Sequence, residues 1–282
     1  MKKLIVVTGP TASGKSDLAV KLALQHDTEI ISADSRQIYK GIPIVTAVPD
    51  AAQRMGVTHH LMEMLPLDAY YSAAMFEEDA LRIAHDIWKR RDVAIVCGGS
   101  MMYVDALIHG IDELPTVPDS IRIPLDREWK ENGDGWLRDR LKALDPDYYN
   151  QVDLSNMKRV FHAVEICLAA GVPYSTLRTG IKKKRDFEIE KIVIDLPREK
   201  LFDRINRRVL SMVDRGLEAE ARSVYLLRHL NSLNTVGLKE MFAYFDGVMD
   251  FDTAVARIQK NTRVYAKKQL TWLKKSQQKT DN

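Results

Sequence analysis

Only two cysteines occur in the 282 residues, Cys97 and Cys167, far apart and each inside an apolar run. That scarcity excludes a disulfide framework and a zinc finger, and it fits a reducing cytosol. Long hydrophobic runs are also missing, so no segment approaches membrane-spanning length. The apolar start is a few residues long and leads directly into a glycine-containing loop, which reads as a strand and not as a signal peptide. Internal repeats and low-complexity linkers are absent. Net charge is +3, too small to point to a partner by itself. The expectation is a soluble, cytoplasmic protein, since 45% hydrophobic and 29% charged residues are ordinary for one. Its length suits one large domain and a smaller second one.

What is present begins with Gly9, Pro10, Thr11, Ala12, Ser13, Gly14, Lys15 and Ser16, which fit the G-x-x-x-x-G-K-[ST] phosphate loop at every fixed position. Lys3 to Val7 before it read as a buried strand, and Leu18, Ala19, Leu22 and Ala23 after it share one helical face. Such a loop points backbone amides and a helix N-terminus at an anion. Lys15 adds a charge, and Ser16 is the candidate ligand for Mg²⁺. A second strand over Glu29–Ala33 ends at Asp34. In a parallel sheet that places Asp34 beside the loop; the alternative is an aspartate that caps a turn and stays solvated. Residues 39–67 read as irregular, and His59-His60 as a hydrogen-bonding or packing pair, because no further ligand stands at metal spacing. A helix from Ser72 to Arg91 precedes the strand Val93–Cys97, which ends in Gly98-Gly99-Ser100. A hydrolysing NTPase normally has an acid at that strand end. Two glycines there argue against an ATPase and suggest a ligand close to the backbone.

After Leu114-Pro115 the pattern changes: no buried strand is legible from Asp119 to about Glu188, and helices are expected around Trp136–Leu144 and Val160–Leu168. The basic run Lys182 to Arg185 reads as solvated surface, with a phosphate-rich partner as the alternative. Ile189–Leu196 returns to strand character, and a helix begins at Pro197 with Arg204, Arg207 and Arg208 on its polar face. Helices often keep such arginines as solvated surface charge, and their place just past a sheet strand leaves open that one reaches back to a diphosphate. The expected division is a parallel α/β core over residues 1–114 and 189–282, with a helical insertion over 115–188. The last helix, about Asp252 to Lys275, is basic. From Gln259 onward seven Lys or Arg, Lys279 included, face Asp281 alone, with Tyr265 and Trp272 interleaved. That pattern suits a nucleic-acid backbone.

These residues carry a resemblance over nearly the whole chain. The phosphate loop is followed by Asp34-Ser35-Arg36-Gln37, by Thr58-His59-His60-Leu61, by Gly98-Gly99-Ser100 and by Arg204-Ile205-Asn206-Arg207-Arg208. Thr235-Val236-Gly237-Leu238-Lys239-Glu240 and Thr262-Arg263-Val264-Tyr265-Ala266-Lys267-Lys268-Gln269 complete the set. Together they resemble the tRNA dimethylallyltransferases, also called tRNA isopentenyltransferases. The resemblance implies a P-loop kinase-like α/β core with a tRNA-binding helical insertion. It implies transfer of a dimethylallyl group from dimethylallyl diphosphate to the exocyclic amine of the adenosine 3′ to the anticodon, with Mg²⁺ as cofactor. The implied catalytic residues are Asp34 as base, with Thr11, Lys15 and Arg208. The loop Gly9–Ser16 would hold the diphosphate. The implied tRNA-side residues are Asp34, Ser35, Arg36, Gln37, Ser100, Arg122, Lys158, Arg159, Arg263, Lys267 and Lys268. A monomer acting on the anticodon stem-loop is expected.

The chain departs from the family pattern at several places. Val45 and Val48 stand where glycine and lysine are usual, Asn156 and His162 where aspartate and arginine are, Leu238 where tyrosine is common and Lys268 where arginine is usual. All lie outside the diphosphate cradle, so they bear on the grip on tRNA. The rival readings are a small-metabolite P-loop kinase, an adenylate isopentenyltransferase and an inert tRNA-binding homologue. The basic C-terminal helix speaks against the kinase.

Overall fold

Short β-branched runs alternating with amphipathic segments build a parallel sheet flanked by helices. The computed structural model describes residues 1–278; Lys279 and Asp281 of the basic tail lie outside the described residues. In chain order the main elements are β1 (Lys3–Thr8), α1 (Lys15–Gln25), β2 (Ile30–Ser32), β3 (His59–His60), α2 (Ala73–Trp88), β4 (Val93–Gly98), α3 (Met101–His109), α4 (Asp119–Leu144), α5 (Met157–Ala170), β5 (Glu188–Val193), α6 (Arg198–Asp214), α7 (Leu238–Phe245) and α8 (Phe251–Gln278). They fall into two compact units, one from Met1–His109 with Lys184–Asn282 and one from Gly110–Lys183. Among the described residues no helix is long and apolar enough to cross a membrane.

The first unit holds five strands in the order β3-β2-β4-β1-β5, every pair parallel. Alternation along β1 sends Ile5 and Val7 to one face, where they pack with Ala19, Val20 and Ala23 of α1. Leu4 and Val6 go to the other face, against Phe76, Ala80 and Ala84 of α2. The register pairs Thr8 with Gly98 and with Val193, and Ser32 with Cys97, so the strands finish nearly level. Their carboxyl ends therefore present the phosphate loop, Asp34 and Gly98-Gly99 along one edge.

Residues 39–67 are more ordered than their prolines suggest. Helical turns Pro43–Thr46 and Ala51–Arg54 precede the two-residue strand β3, too short to show a period. The carboxylate of Glu220 accepts the Ile44 and Val45 amides at 2.7 and 2.8 Å and caps the first turn. His59 binds the Val57 carbonyl and His60 the Glu29 carboxylate. Val45 packs over Gly237, where a Cβ would stand 2.3 Å from a Val45 methyl. Pro197 sits one residue before α6, as its N-cap. The basic run is not uniformly solvated: the Arg185 side chain is 10% exposed, paired with Glu77 at 2.8 Å and bonded to the carbonyls of Ala106 and Leu107.

The second unit is helical, with no strand among its described residues. Leu125, Leu137 and Leu141 of α4 pack with Val160, Ala163 and Val164 of α5. The expected helix near Trp136 is the second half of α4, which bends at Gly133. Gly171 ends α5 in the left-handed conformation.

Candidate active site

The phosphate loop joins β1 to α1. Gly14 has φ 93° and opens α1, a conformation that a residue with a side chain adopts only under strain. Lys15 donates from Nζ to the Pro10 carbonyl at 2.7 Å. Burial, together with the neighbouring Arg208, lowers its pKa to about 8. Ser13 is 3% exposed, and its hydroxyl has no hydrogen-bond partner among the described residues. An orphaned buried donor in the loop is what an anion's oxygens would satisfy.

Two arginines of α6 reach the loop from one helical face. Arg204 approaches the Ser13 carbonyl at 3.4 Å, and Arg208 donates to the Thr11 hydroxyl at 3.0 Å. Burial pulls the pKa of Arg208 down, opposed by Asp34. Arg207 pairs with Asp203 on the exposed side. On the outer side of the loop, Arg204, Arg207, Arg208 and Arg215 line a chamber of about 510 Å³ with Lys15 and Ser16.

A second chamber of about 100 Å³ shares Lys15, Ser16 and Arg208 with the first, and adds Thr11, Asp34, Gln37, His59, Met62, Cys97, Tyr265 and Gln269. Asp34 combines the two roles weighed for it. Its Oδ1 accepts the Arg36 and Gln37 amides at 2.9 and 3.4 Å, closing a turn, while Oδ2 has no hydrogen bond among the described residues. The carboxylate is thus held by one oxygen and presents the other. Burial pushes the Cys97 thiol up to about 11, so it is a neutral wall and not a nucleophile. Burial lowers the pKa of His59, keeping the ring neutral.

Several residues expected to face tRNA are engaged within the protein. Arg36 donates to the carbonyls of Asn231, Ser232 and Asn234. Gln37 bonds Ser32, Thr46 and Ala47. Ser100 is 8% exposed, and its hydroxyl accepts the Ser35 amide at 2.8 Å, bracing the Asp34 turn. Arg263 donates to Asn206 at 2.5 Å. Arg122, in the second unit, pairs with Glu165, which also binds His162; Lys158 and Arg159 of that unit are exposed.

The C-terminal helix divides its roles differently from the expectation. Trp272 donates to Asp105 at 2.8 Å, and Tyr265, still 39% exposed, lines the inner chamber. Burial and Asp34 raise the Tyr265 phenol to about 12, so it stays a donor. Lys267 and Lys268 remain exposed. Gln269 is 3% exposed and reaches the phosphate loop. Gly98-Gly99 also reads differently. A Cβ on Gly98 would lie 2.1 Å from the Ala33 carbonyl oxygen, and one on Gly99 2.5 Å from Gln269 Nε2. The backbone is approached closely by the protein's own chain. Among the described residues no cluster of three or more His, Cys, Asp or Glu is placed to hold a metal ion.

A family model described as IPP transferase matches residues 37–276. The tRNA dimethylallyltransferase 1 of Bacteroides thetaiotaomicron is 48% identical over 278 residues, 99% of this chain and 90% of that protein. The crystal structure of a tRNA delta(2)-isopentenylpyrophosphate transferase from Staphylococcus epidermidis superposes with a TM-score of 0.68 at 31% identity, covering 97% of this chain and 90% of the other. A eukaryotic dimethylallyltransferase described as acting on tRNA gives a TM-score of 0.80 at 25% identity, over 97% of this chain and 70% of the other.

Proposed function

The chain belongs to the IPP transferase family, and on that premise we propose that it transfers a dimethylallyl group from dimethylallyl diphosphate to the exocyclic amine of the adenosine 3′ to the anticodon of a tRNA, releasing diphosphate. The observation that carries this reading is that Thr11, Lys15 and Arg208 of a diphosphate cradle line the same small chamber as Asp34. Departure of diphosphate from an allylic carbon builds negative charge on the leaving group. Lys15, Arg208, the Thr11 hydroxyl and the loop amides not already bonded within the protein are the donors for that charge. The exocyclic amine is a poor nucleophile because its lone pair is delocalised into the ring. Oδ2 of Asp34 accepts a hydrogen bond from it and takes the proton as the bond to carbon forms. A stacked base cannot enter a chamber of this kind, so the adenosine is flipped out to react. The hydroxyl of Ser16 and the substrate's own diphosphate oxygens are hard ligands that suit Mg²⁺, which would neutralise charge on the leaving diphosphate.

The exposed Lys267 and Lys268, with Lys158, Arg159 and Arg122 of the second unit, are proposed as phosphate-backbone contacts; Ser35, Arg36, Gln37, Ser100 and Arg263 shape the tRNA side through the bonds described above. The enzyme is proposed to act as a cytoplasmic monomer. Replacing Lys267 and Lys268 together by alanine should weaken tRNA binding and make the plot of log affinity against log salt shallower by about one to two units. An unchanged slope would return this face to ordinary solvated surface.

The depressed pKa of Lys15 sets a pH dependence. The ligand-free protein loses this charge as pH rises through about 8, whereas bound diphosphate favours the charged form, so binding takes up a proton above that pH. The affinity for dimethylallyl diphosphate, measured without tRNA, should be level below this point and fall by up to about tenfold per pH unit above it. A phosphate ester's last ionisation, near pH 6, does not interfere. A flat profile would place the diphosphate away from Lys15. The reaction class is tested by offering ATP without RNA and free adenylate with labelled dimethylallyl diphosphate. Neither ADP nor prenylated nucleotide should accumulate; robust ADP release would make the protein a kinase.

A further inference from the structure

Every other buried residue that α8 contributes among the described residues, Ala254, Ile258, Ala266 and Leu273, is apolar; Gln269 is the exception. A carboxamide buried on such a stripe destabilises the fold unless both of its ends are bonded. Both are. Oε1 accepts the Thr11 amide at 2.8 Å, and Nε2 donates to the Gly99 carbonyl at 2.9 Å. Thr11 in turn carries the hydroxyl that receives Arg208. The Thr11 amide is therefore committed to Gln269, and the absent side chain at Gly99 makes room for the carboxamide.

We propose that Gln269 is a positioning residue for prenyl transfer, clamping the Thr11 segment of the phosphate loop to the end of β4 so that the Thr11 hydroxyl and Arg208 are held against the leaving diphosphate. The inference rests on the reaction proposed above. It gives α8 two jobs: exposed lysines toward solvent, and a clamp on the catalytic loop. The role assigned to Gln269 is to hold these groups in place, not to react.

The test is single-turnover transfer at saturating tRNA and dimethylallyl diphosphate, with tRNA affinity and thermal melting measured in parallel, for Gln269→Leu and Gln269→Glu. Gln269→Leu removes both bonds at similar volume. Its transfer rate should fall about 10- to 100-fold, the scale of a small misplacement of reacting groups, with tRNA affinity within about twofold of wild type. Gln269→Glu distinguishes geometry from bulk. Ionised, the new carboxylate repels the Gly99 carbonyl; protonated, it again offers one acceptor and one donor. Burial raises such a carboxyl's pKa, so its rate relative to wild type should climb as pH is lowered from about 8 to about 6. Lys15, Asp34, His59, Cys97, Arg208 and Tyr265 face the same chamber in both proteins, and taking the ratio cancels their titration to first order. A Leu variant within about twofold of the wild-type rate, or a flat ratio for the Glu variant, would overturn the proposal. So would rate, tRNA affinity and melting temperature falling together in both variants, which would make Gln269 a purely structural residue. A wild-type enzyme that transfers no label would overturn the proposed reaction itself, and this step with it.

Discussion

Replacing Asp34 by asparagine should lower the rate of prenyl transfer by about two to four orders of magnitude while tRNA affinity stays close to wild type. The structure makes this substitution unusually clean. Oδ1 of Asp34 accepts two backbone amides, and an asparagine oxygen can keep both. The turn that carries Ser35 to Gln37 is then preserved. What changes is the second position, where a carboxylate oxygen able to accept the amine's proton becomes an NH₂ group that can only donate. The loss therefore reports the base and its charge, not the fold of the turn. Single-turnover rates with bound tRNA, beside an independent binding measurement, separate the two. Activity within a few-fold of wild type would remove Asp34 from the chemistry.

Arg208→Ala is expected to lower transfer by about 10²- to 10³-fold, the range seen when one donor to a developing oxyanion is deleted. That is about 2.7–4 kcal/mol of transition-state stabilisation. The guanidinium is half-buried beside Lys15, and its bond to the Thr11 hydroxyl fixes where it points. Lysine should rescue little, because an ammonium cannot span the hydroxyl and a diphosphate oxygen as a planar fork does. A second readout accompanies the first. Arg208 helps to depress the pKa of Lys15, so in the alanine variant the fall in diphosphate affinity should begin at higher pH. An unshifted profile with unchanged turnover would place Arg208 outside the cradle.

The phosphate loop was legible because all its parts are local: strand, glycines, lysine and helix follow one another within Lys3–Gln25. Asp34 was half legible. Topology put it beside the phosphate loop, but only the structure shows one oxygen bonded to a turn and the other without a hydrogen bond among the described residues. Gln269 was hidden by distance, since it lies 258 residues from its partner Thr11. The one local signal was a polar residue inside an apolar stripe that also carries Ala266 and Leu273. The glycines at the end of β4 were read as room for a ligand, and a single sequence gave no way to see that Ala33 and Gln269 take that room. Similarly, Lys182 to Arg185 form one basic run, yet only tertiary pairing with Glu77 distinguishes half-buried Arg185 from its exposed neighbours.

The measurement that bears most directly on the reaction is incubation with radiolabelled dimethylallyl diphosphate, Mg²⁺ and unmodified tRNA, followed by digestion and location of the label. The wild-type enzyme should place label on the adenosine 3′ to the anticodon and release one diphosphate for each group transferred, with Asp34→Asn reduced as above. Retained tRNA binding with no label in the RNA would contradict the account and leave a tRNA-binding homologue without this activity.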